Sequence, residues 1–338
     1  MLFTPSLEQP TCLAPAATAI GHSLVIPVYC NEENISDLIA ALDQLEREIS
    51  SFEVIFVIDG SPDRSAELLV EALANARFEW QLVELSRNFG SFAAVRQGLA
   101  LARGQSMAVM AADLQEPPEL IAQFFRQLDA NTSDLVVGVR VARNDPVLNR
   151  LLARIYWWLY RRLIMRDIPA GGVDVFACNR AFRDALLTLE ERNSFLIGQL
   201  FWLGFRRAEI PYTRQPRRAG KSAWKFHRRL RYMLDSVFAF SDLPISLLLW
   251  LGAIGLGVCG VLAGVTLIAW MTGNIDVRGY VPLMLVIMFF GSILILGQGI
   301  LGCYLWRVSE NSKRRPLSVI LSHRVGAPAV SSLARDKE

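Results

Sequence analysis

The chain has 338 residues, of which 52% are hydrophobic and 20% charged, with a formal net charge of +3. The apolar residues concentrate near the C-terminus, where residues 244–272 and 281–306 contain no charged side chain. Because about 20 apolar residues cross a bilayer, these runs predict two membrane spans and exclude a purely soluble protein, a disordered chain and a many-span transporter.

Positive charge clusters on both flanks of the two apolar runs. Residues 206–231 hold ten Arg or Lys against one acid, Glu209, which gives this segment a charge of +9. Residues 313–315 are all basic and follow the second run, whereas the connection 273–280 carries one acid and one base. The positive-inside bias predicts that the large N-terminal domain and both termini are cytoplasmic. Membrane lipids, especially anionic headgroups, are the expected partner of the basic run, and no nucleic-acid partner is predicted.

Strand and helix patterns alternate through the first 140 residues. Short apolar runs separated by helical periodicity indicate an α/β fold with a doubly wound, mostly parallel sheet covered on both faces. Ligands of such sheets bind beyond the carboxyl ends of the strands. No G-x-G-x-x-G or P-loop motif is present, which disfavours a nicotinamide-binding domain and a P-loop ATPase. The predicted strands are 23–29, 53–58, 81–85, 106–111 and 134–138, and the predicted helices are 34–49, 64–76, 91–103 and 117–129.

Two basic segments with aromatic residues have helical periodicity. For 224–240 an amphipathic helix at the membrane interface is favoured, because the first apolar run follows directly. For 147–165 an interfacial helix and an ordinary surface helix fit equally well. Within the apolar runs, glycines predict close packing of the two spans as a hairpin and also allow a homo-oligomer. These glycines are Gly260, Gly264, Gly297, Gly299 and Gly302.

Polar clusters follow four of the predicted strands. A carboxylate at such a position can bind a divalent cation that holds a diphosphate, and aromatic and acidic side chains can receive a base and a ribose. Each cluster alone also fits a plain turn or a helix start. The clusters are Pro27–Asn34, Asp59–Asp63, Arg87–Gly90 and Asp113–Glu119.

Taken in order, these clusters resemble the family 2 glycosyltransferases of the GT-A fold. The resemblance is strongest to the polyisoprenyl-phosphate glycosyltransferases, such as bactoprenol glucosyltransferases and dolichol-phosphate mannose synthase. It implies an inverting transfer of a sugar from a nucleotide diphosphate sugar to a polyprenyl phosphate, undecaprenyl phosphate in a bacterium, by a multi-pass protein of the cytoplasmic membrane. The strings that carry it are IPVYCNEEN, IDGSPDRS, LSRNFG, AADLQEPPE, GVR, GGVDVFACNR, GKSAWKF and, after the two apolar runs, RRP.

The same resemblance implies which side chains bind the donor. Asp113 and Gln115 would hold Mg²⁺ or Mn²⁺ on the diphosphate. The nucleotide sugar would be contacted by Pro27, Tyr29, Glu32, Asp59 and Ala112.

The acceptor side is implied in the same way. Arg140 and Arg150 would receive the lipid phosphate, and Lys221 and Ser222 would lie on a loop that closes over the site. Arginine suits bidentate phosphate binding. The nucleophile is a phosphate oxygen that is already anionic, so it needs positioning and charge screening more than a strong general base. Asp113, Arg140 and Arg150 are therefore the predicted catalytic residues.

Two positions depart from the family pattern. Ile58 and Ala111 stand where the family usually has aspartates in its nucleotide and metal motifs. The alternative is therefore a catalytically impaired, membrane-tethered paralogue that binds nucleotide sugars or acts as a scaffold. A processive polysaccharide synthase is disfavoured, because such enzymes usually have more spans and a Gln-x-x-Arg-Trp motif.

The predicted domain organisation has five parts in chain order. They are a loose leader (1–21), a cytoplasmic GT-A domain (22–222), a juxtamembrane amphipathic helix (223–243), a two-helix transmembrane hairpin (244–306) and a cytoplasmic tail (307–338).

Overall fold

A single sheet organises the N-terminal domain of the computed structural model. The structure describes residues 20–49, 51–140, 169, 173–191, 196–215, 237, 243–272 and 279–328. The strands are β1 (His22–Val28), β2 (Phe52–Ile58), β3 (Glu79–Leu85), β4 (Ser106–Val109), β5 (Leu135–Arg140), β6 (Val173–Asn179), β7 (Arg207–Tyr212) and β8 (Ile320–Gly326).

Helices connect these strands and follow them toward the C-terminus. A short 3-10 helix, Glu32–Asn34, precedes the first α-helix. The α-helices are α1 (Ile35–Glu46), α2 (Ser65–Leu73), α3 (Ser91–Leu101), α4 (Pro118–Asp129), α5 (Arg180–Leu187), α6 (Leu196–Trp202), α7 (Leu243–Met271) and α8 (Tyr280–Ser312).

The sheet has the order β7-β5-β6-β4-β1-β2-β3-β8. Strands β4, β1, β2 and β3 are parallel neighbours, and β5 is parallel to β7. Strand β6 is antiparallel to both β4 and β5, and β8 is antiparallel to β3. The prediction of a mixed α/β fold with a mostly parallel sheet is confirmed, and each predicted strand and helix of the first 140 residues ends within three residues of its predicted bounds.

Both faces of the sheet are buried under helices. Helices α1, α2 and α4 pack on one face and α3, α5 and α6 on the other, each with its own apolar core. All seven residues of β2 are buried, as expected for a continuous apolar strand covered on both sides. Ile58 belongs to the first of these cores, so the position where the family usually carries an aspartate is filled by a packed apolar side chain.

Helices α7 and α8 have 29 and 33 residues and pack against each other. Among the described residues, the segment Phe289–Ser312 is long and apolar enough to cross a membrane, and the apolar segment found in α7, Pro244–Gly255, is shorter. The described part of the chain therefore supports one span by length and composition, and the second span stays a prediction. The predicted interfacial helices at 147–165 and 224–240 lie outside the described residues, apart from Val237.

The glycines that approach the facing helix differ in part from those predicted. A Cβ at Gly255 would lie 2.9 Å from the Phe290 ring, and one at Gly297 would lie 3.1 Å from Leu248. The expectation for Gly297 therefore fits the structure. At the other predicted glycines no described atom lies within 4 Å of such a Cβ; these are Gly260, Gly264, Gly299 and Gly302.

The segment predicted as a cytoplasmic tail contains a strand of the sheet. Residues 320–326 return from α8 to the sheet and pair with β3 along its outer edge. The tail prediction missed this strand because its residues are largely exposed and its partner is distant in sequence.

Candidate active site

The predicted donor residues gather at the carboxyl edge of the sheet. Strands β4, β1 and β2 are adjacent and parallel, so the loops that follow them lie side by side. These loops carry the predicted residues Tyr29, Glu32, Asp59, Ala112, Asp113 and Gln115, and Arg140 ends β5 nearby. The predicted acceptor residues Arg150, Lys221 and Ser222 lie outside the described residues.

Asp59 is buried and organises the loop that follows β3. The backbone N–H groups of Phe89 and Gly90 donate to its two carboxylate oxygens at 2.7 and 2.8 Å. Burial raises the pKa of the Asp59 carboxyl, while these donors and the charge of Arg87 oppose the rise. The structure thus shows Asp59 holding a neighbouring loop, and its predicted contact with the nucleotide stays a prediction.

Asp63 ties the loops after β1 and β2 together. The hydroxyls of Ser61 and Ser65 donate to its carboxylate at 2.5 and 2.8 Å, and the Glu32 N–H donates at 3.1 Å. Partial burial alone would raise the pKa of Asp63, but these donors lower it below its ordinary value. In return, the Glu32 carboxylate accepts from the Arg64 N–H just before α2. The exposed Glu32 side chain therefore already has a structural partner.

The other predicted nucleotide contacts differ in accessibility. Tyr29 is 37% exposed and Pro27 is half-buried, whereas Ala112 is buried. Tyr29 can therefore offer its ring to a base, while Ala112 offers no side-chain surface.

The segment after β4 makes a tight turn at the predicted metal residues. Leu114 has a positive φ of 53°, which is rare for a bulky residue and costs free energy. This turn leaves the side chain of Asp113 buried and allows the Gln115 N–H to donate to Asp113 Oδ1 at 3.4 Å. The Gln115 carbonyl accepts from the Gln215 N–H at 2.9 Å, which joins this turn to the segment after β7.

A charged cluster that the sequence did not single out lies beside this turn. Glu116 is 1% exposed, and its Oε1 lies 3.6 Å from Arg214 Nε. Burial raises the pKa of the Glu116 carboxyl; the positive charge of Arg214 opposes the rise and the negative charge of Asp113 adds to it. Glu116 was named only as part of a family motif, because nothing in the sequence indicates that its side chain turns inward.

Arg140 is held by an acid on the neighbouring strand. It forms an ion pair with Asp174 of β6, whose carboxylate also accepts from the Tyr212 hydroxyl at 3.2 Å. Burial and the charge of Glu116 raise the pKa of Tyr212. Arg140 is therefore at the predicted edge of the site, but its charge is shared with Asp174.

The oxygen ligands needed for a divalent cation are partly present. Among the described residues no group of three or more His, Cys, Asp or Glu side chains forms a metal cluster. Mg²⁺, however, is usually bound by one or two carboxylates together with substrate phosphates and water. Asp113, the side-chain oxygen of Gln115 and the buried oxygens of Glu116 fit that pattern, because they lie on one turn and combine two carboxylates with an amide oxygen.

Comparison with known proteins identifies the family. Residues 23–188 match the model of glycosyl transferase family 2. An uncharacterized glycosyltransferase of Synechocystis is 32% identical over 89% of this chain and 95% of its own length. The chain belongs to glycosyl transferase family 2. It is a glycosyltransferase, as the sequence predicted.

Two further relatives carry more specific names. A prophage bactoprenol glucosyl transferase homolog of Escherichia coli is 30% identical over 88% of this chain and 97% of its own length. An undecaprenyl-phosphate 4-deoxy-4-formamido-L-arabinose transferase of Pectobacterium carotovorum is 29% identical over 94% of this glycosyltransferase and 97% of its own length. Among solved structures, glucosyl-3-phosphoglycerate synthase of Mycobacterium tuberculosis, in complex with Mg²⁺ and uridine diphosphate, aligns with a TM-score of 0.46 at 17% identity over 64% of this chain and 78% of that chain.

Proposed function

We propose that this glycosyltransferase moves a sugar from a nucleotide diphosphate sugar to polyprenyl phosphate, undecaprenyl phosphate in a bacterium, at the cytoplasmic face of the inner membrane. The observation that carries the proposal is the extent of the similarity to the undecaprenyl-phosphate transferase, which spans 94% of the chain. That share leaves about 20 of 338 residues unmatched, fewer than α7 or α8 contains. The similarity therefore extends into both apolar helices as well as the catalytic domain.

The connections of the chain support a membrane-bound acceptor. Strand β7 ends at Tyr212, on the carboxyl edge of the sheet, and leads toward α7. Strand β8 begins at Ile320 opposite Leu85, the last residue of β3, eight residues after α8 ends at Ser312. Both links between the sheet and the apolar helices therefore leave from the edge that holds the candidate site. This arrangement favours a site that faces a lipid substrate.

On the donor side, the loops after β1, β2 and β4 supply the predicted contacts. Tyr29 offers an exposed aromatic ring for a base, and Asp59 and Glu32 shape the loops around it. Asp113 and Gln115 are the residues that would hold a divalent cation. The chemistry that such a cation supplies is neutralisation of charge on the leaving nucleoside diphosphate.

On the acceptor side, Arg140 is the described residue that would receive the lipid phosphate. Its guanidinium already pairs with Asp174, so Asp174 would orient Arg140 toward the phosphate. Arg150 would add a second positive charge, and the loop with Lys221 and Ser222 would close over the phosphate and exclude water. These three assignments are part of the proposal and rest on the family resemblance.

An active transferase is favoured over an impaired binding or scaffold protein. Ile58 replaces a carboxylate, but its side chain packs in the core and leaves Asp59 in place on the next position. Asp113 remains buried on the turn after β4, and the positive charges of Arg140 and Arg214 act on Glu116 of the same turn. The charged groups that a phosphate-binding site needs are therefore retained.

A transfer assay tests this proposal. Full-length protein in detergent receives undecaprenyl phosphate, Mg²⁺ or Mn²⁺ and a panel of labelled nucleotide sugars. We expect a labelled lipid with one donor. We also expect Asp113→Ala to lower the rate by about 10²–10³-fold, because the loss of one electrostatic contact to the transition state typically has an effect of this size.

Glu71→Ala is the matched control, since Glu71 is an exposed carboxylate on α2, outside the predicted clusters. Its rate should equal that of the wild type. The proposal is overturned if no donor gives a product while a bactoprenol glucosyl transferase assayed in parallel is active. Full metal-dependent activity of the Asp113→Ala variant would overturn the assignment of Asp113.

A further inference from the structure

Glu116 is a buried carboxylate that its surroundings do not satisfy. The side chain is 1% exposed, and neither Oε1 nor Oε2 has a hydrogen-bond partner among the described residues. The Nε of Arg214 lies 3.6 Å from Oε1, beyond good hydrogen-bond distance. Buried polar groups in proteins are nearly always paired, so these oxygens point to a ligand.

The local sequence explains why the helix that follows does not satisfy Glu116. A carboxylate just before a helix normally accepts from the first free N–H groups of that helix. Here the next two residues are Pro117 and Pro118, and proline has no N–H to donate. Helix α4 accordingly begins at Pro118 without a side-chain cap. The prolines therefore keep the Glu116 oxygens available while fixing the start of the helix.

A second carboxylate lies close to Glu116. Asp113 is also buried and lies three residues before Glu116 on the same turn, where its negative charge acts on the Glu116 carboxylate. Two carboxylates at this range repel each other unless a cation lies between them. The positive charges of Arg214 and Arg140 oppose this repulsion. Arg140 is also paired with Asp174, however, and the Arg214 Nε has no hydrogen-bond partner among the described residues.

We propose that Glu116 is a further ligand of the divalent cation, beside Asp113 and Gln115. This inference rests on the proposed function, since the cation is the one that would hold the donor diphosphate. Two carboxylates, one amide oxygen and the phosphates form the oxygen set that Mg²⁺ or Mn²⁺ prefers. Glu116 would thereby supply a second carboxylate to this site, where Ala111 replaces the aspartate that the family usually has.

A purely structural role makes a different prediction. If Glu116 served only to hold Arg214 in place, loss of either residue would disturb the site in the same way. If Glu116 binds the cation, loss of Arg214 removes a competing positive charge. The two variants then change metal affinity in opposite directions, or only the Glu116 variant changes it.

Direct metal binding separates these roles. Mn²⁺ is titrated into full-length protein in detergent and followed by electron paramagnetic resonance, with and without UDP as a nucleoside diphosphate probe. We expect Glu116→Gln to raise the Mn²⁺ Kd at least about tenfold, since even indirect partners of metal ligands cost 10–100-fold. Arg214→Met should leave the Kd unchanged or lower it. Glu71→Gln, an exposed carboxylate on α2, is the matched control and should bind Mn²⁺ like the wild type.

The proposal is overturned if Glu116→Gln binds Mn²⁺ as tightly as the wild type, or if Arg214→Met weakens binding as much as Glu116→Gln does. If Glu116→Gln does not give a cooperative thermal transition, the double variant with Arg214→Met removes both buried charges. The double variant must still bind Mn²⁺ at least tenfold more weakly than Arg214→Met alone; equal affinity contradicts the proposal. No sugar or lipid is present in this experiment, so a failure of the transfer assay affects the proposed function and leaves this result unchanged.

Discussion

Asp59 and Gly60 act as a pair at the scale of single residues. The Asp59 carboxylate accepts two backbone N–H groups from the loop after β3. Gly60 allows that loop to approach, because a Cβ at this position would lie 2.3 Å from the carbonyl carbon of Arg87. Arg87 in turn stacks over the Phe89 ring at 4.1 Å. The Asp-Gly motif thus organises a second loop of the candidate site.

Replacement of Gly60 by alanine tests this close approach. Gly60 has a positive φ of 57°, so Gly60→Ala adds backbone strain to the clash with Arg87. We expect a loss of about 3 kcal/mol in the free energy of unfolding, from overpacking together with left-handed strain, and weaker binding of the donor. Thermal unfolding and nucleotide titration measure the two effects.

Gly204 provides the matched control for Gly60. Its φ is also positive, at 72°, but no described atom lies within 4 Å of a Cβ placed there. Gly204→Ala should therefore cost only the strain, about 1 kcal/mol, and leave donor binding unchanged. Equal losses of stability in the two variants would show that the contact with Arg87 contributes nothing.

At the scale of elements, β8 is the least expected part of the sheet. It follows the apolar helix α8 and pairs antiparallel with β3, where His323 Nε2 lies 2.9 Å from Gln81 Oε1. The residues just before it are also attached, because the Ser318 hydroxyl donates to Gln97 of α3 at 2.8 Å. The chain that leaves the apolar helices therefore completes the catalytic domain.

Truncation tests how much β8 contributes to stability. A chain that ends at Ser318 lacks β8 and exposes the edge of β3, including the side chains of Gln81 and Val83 that are now buried. We expect Tm to fall by roughly 5–10 °C, which corresponds to about 2–3 kcal/mol for a domain of this size. A chain that ends at Pro328 keeps β8 and should have the Tm of the full chain. If the chain that ends at Ser318 had the Tm of the full chain, β8 would not stabilise the sheet.

At the scale of the whole molecule, the direction of the sheet sets where the candidate site faces. Both connections to the apolar helices leave from the carboxyl edge, and the seven residues of β2 separate that edge from the opposite one by about 20 Å. If α8 crosses the membrane as proposed, the carboxyl edge lies nearer the lipid headgroups. A lipid phosphate can then reach Arg140 without leaving the membrane surface.

Fluorescence quenching measures this orientation. A variant whose only cysteine is Cys30, exposed at the carboxyl edge, is labelled and placed in liposomes with nitroxide headgroups. A second variant carries its only cysteine at Glu48→Cys, an exposed position between α1 and β2 at the opposite edge. We expect much stronger quenching at Cys30, because quenching falls steeply with distance. Equal quenching at both positions would contradict the proposed orientation.

Features formed by interactions between residues close in sequence could be predicted, whereas features formed by residues distant in sequence could not. The first five strands and the helices between them are apolar runs with clear periodicity, and such patterns depend on local sequence. Strands β6 and β8 gave no such signal, because β6 carries Asp174 and β8 is mostly exposed. Each becomes a strand by pairing with a partner that is distant in the chain.

The sequence by itself determined the α/β fold, the membership of a glycosyltransferase family and the position of the motifs after the strands. Those features depend on side-chain order and spacing, which the sequence contains. Only the tertiary structure decided the partners of each charged side chain: Asp59 holds the loop after β3, Arg140 pairs with Asp174, and Glu116 turns inward beside Asp113. These contacts join residues on different loops and strands, and a turn with Leu114 at a positive φ precedes Glu116. Burial and charge at the site therefore depend on how the strands are arranged in space.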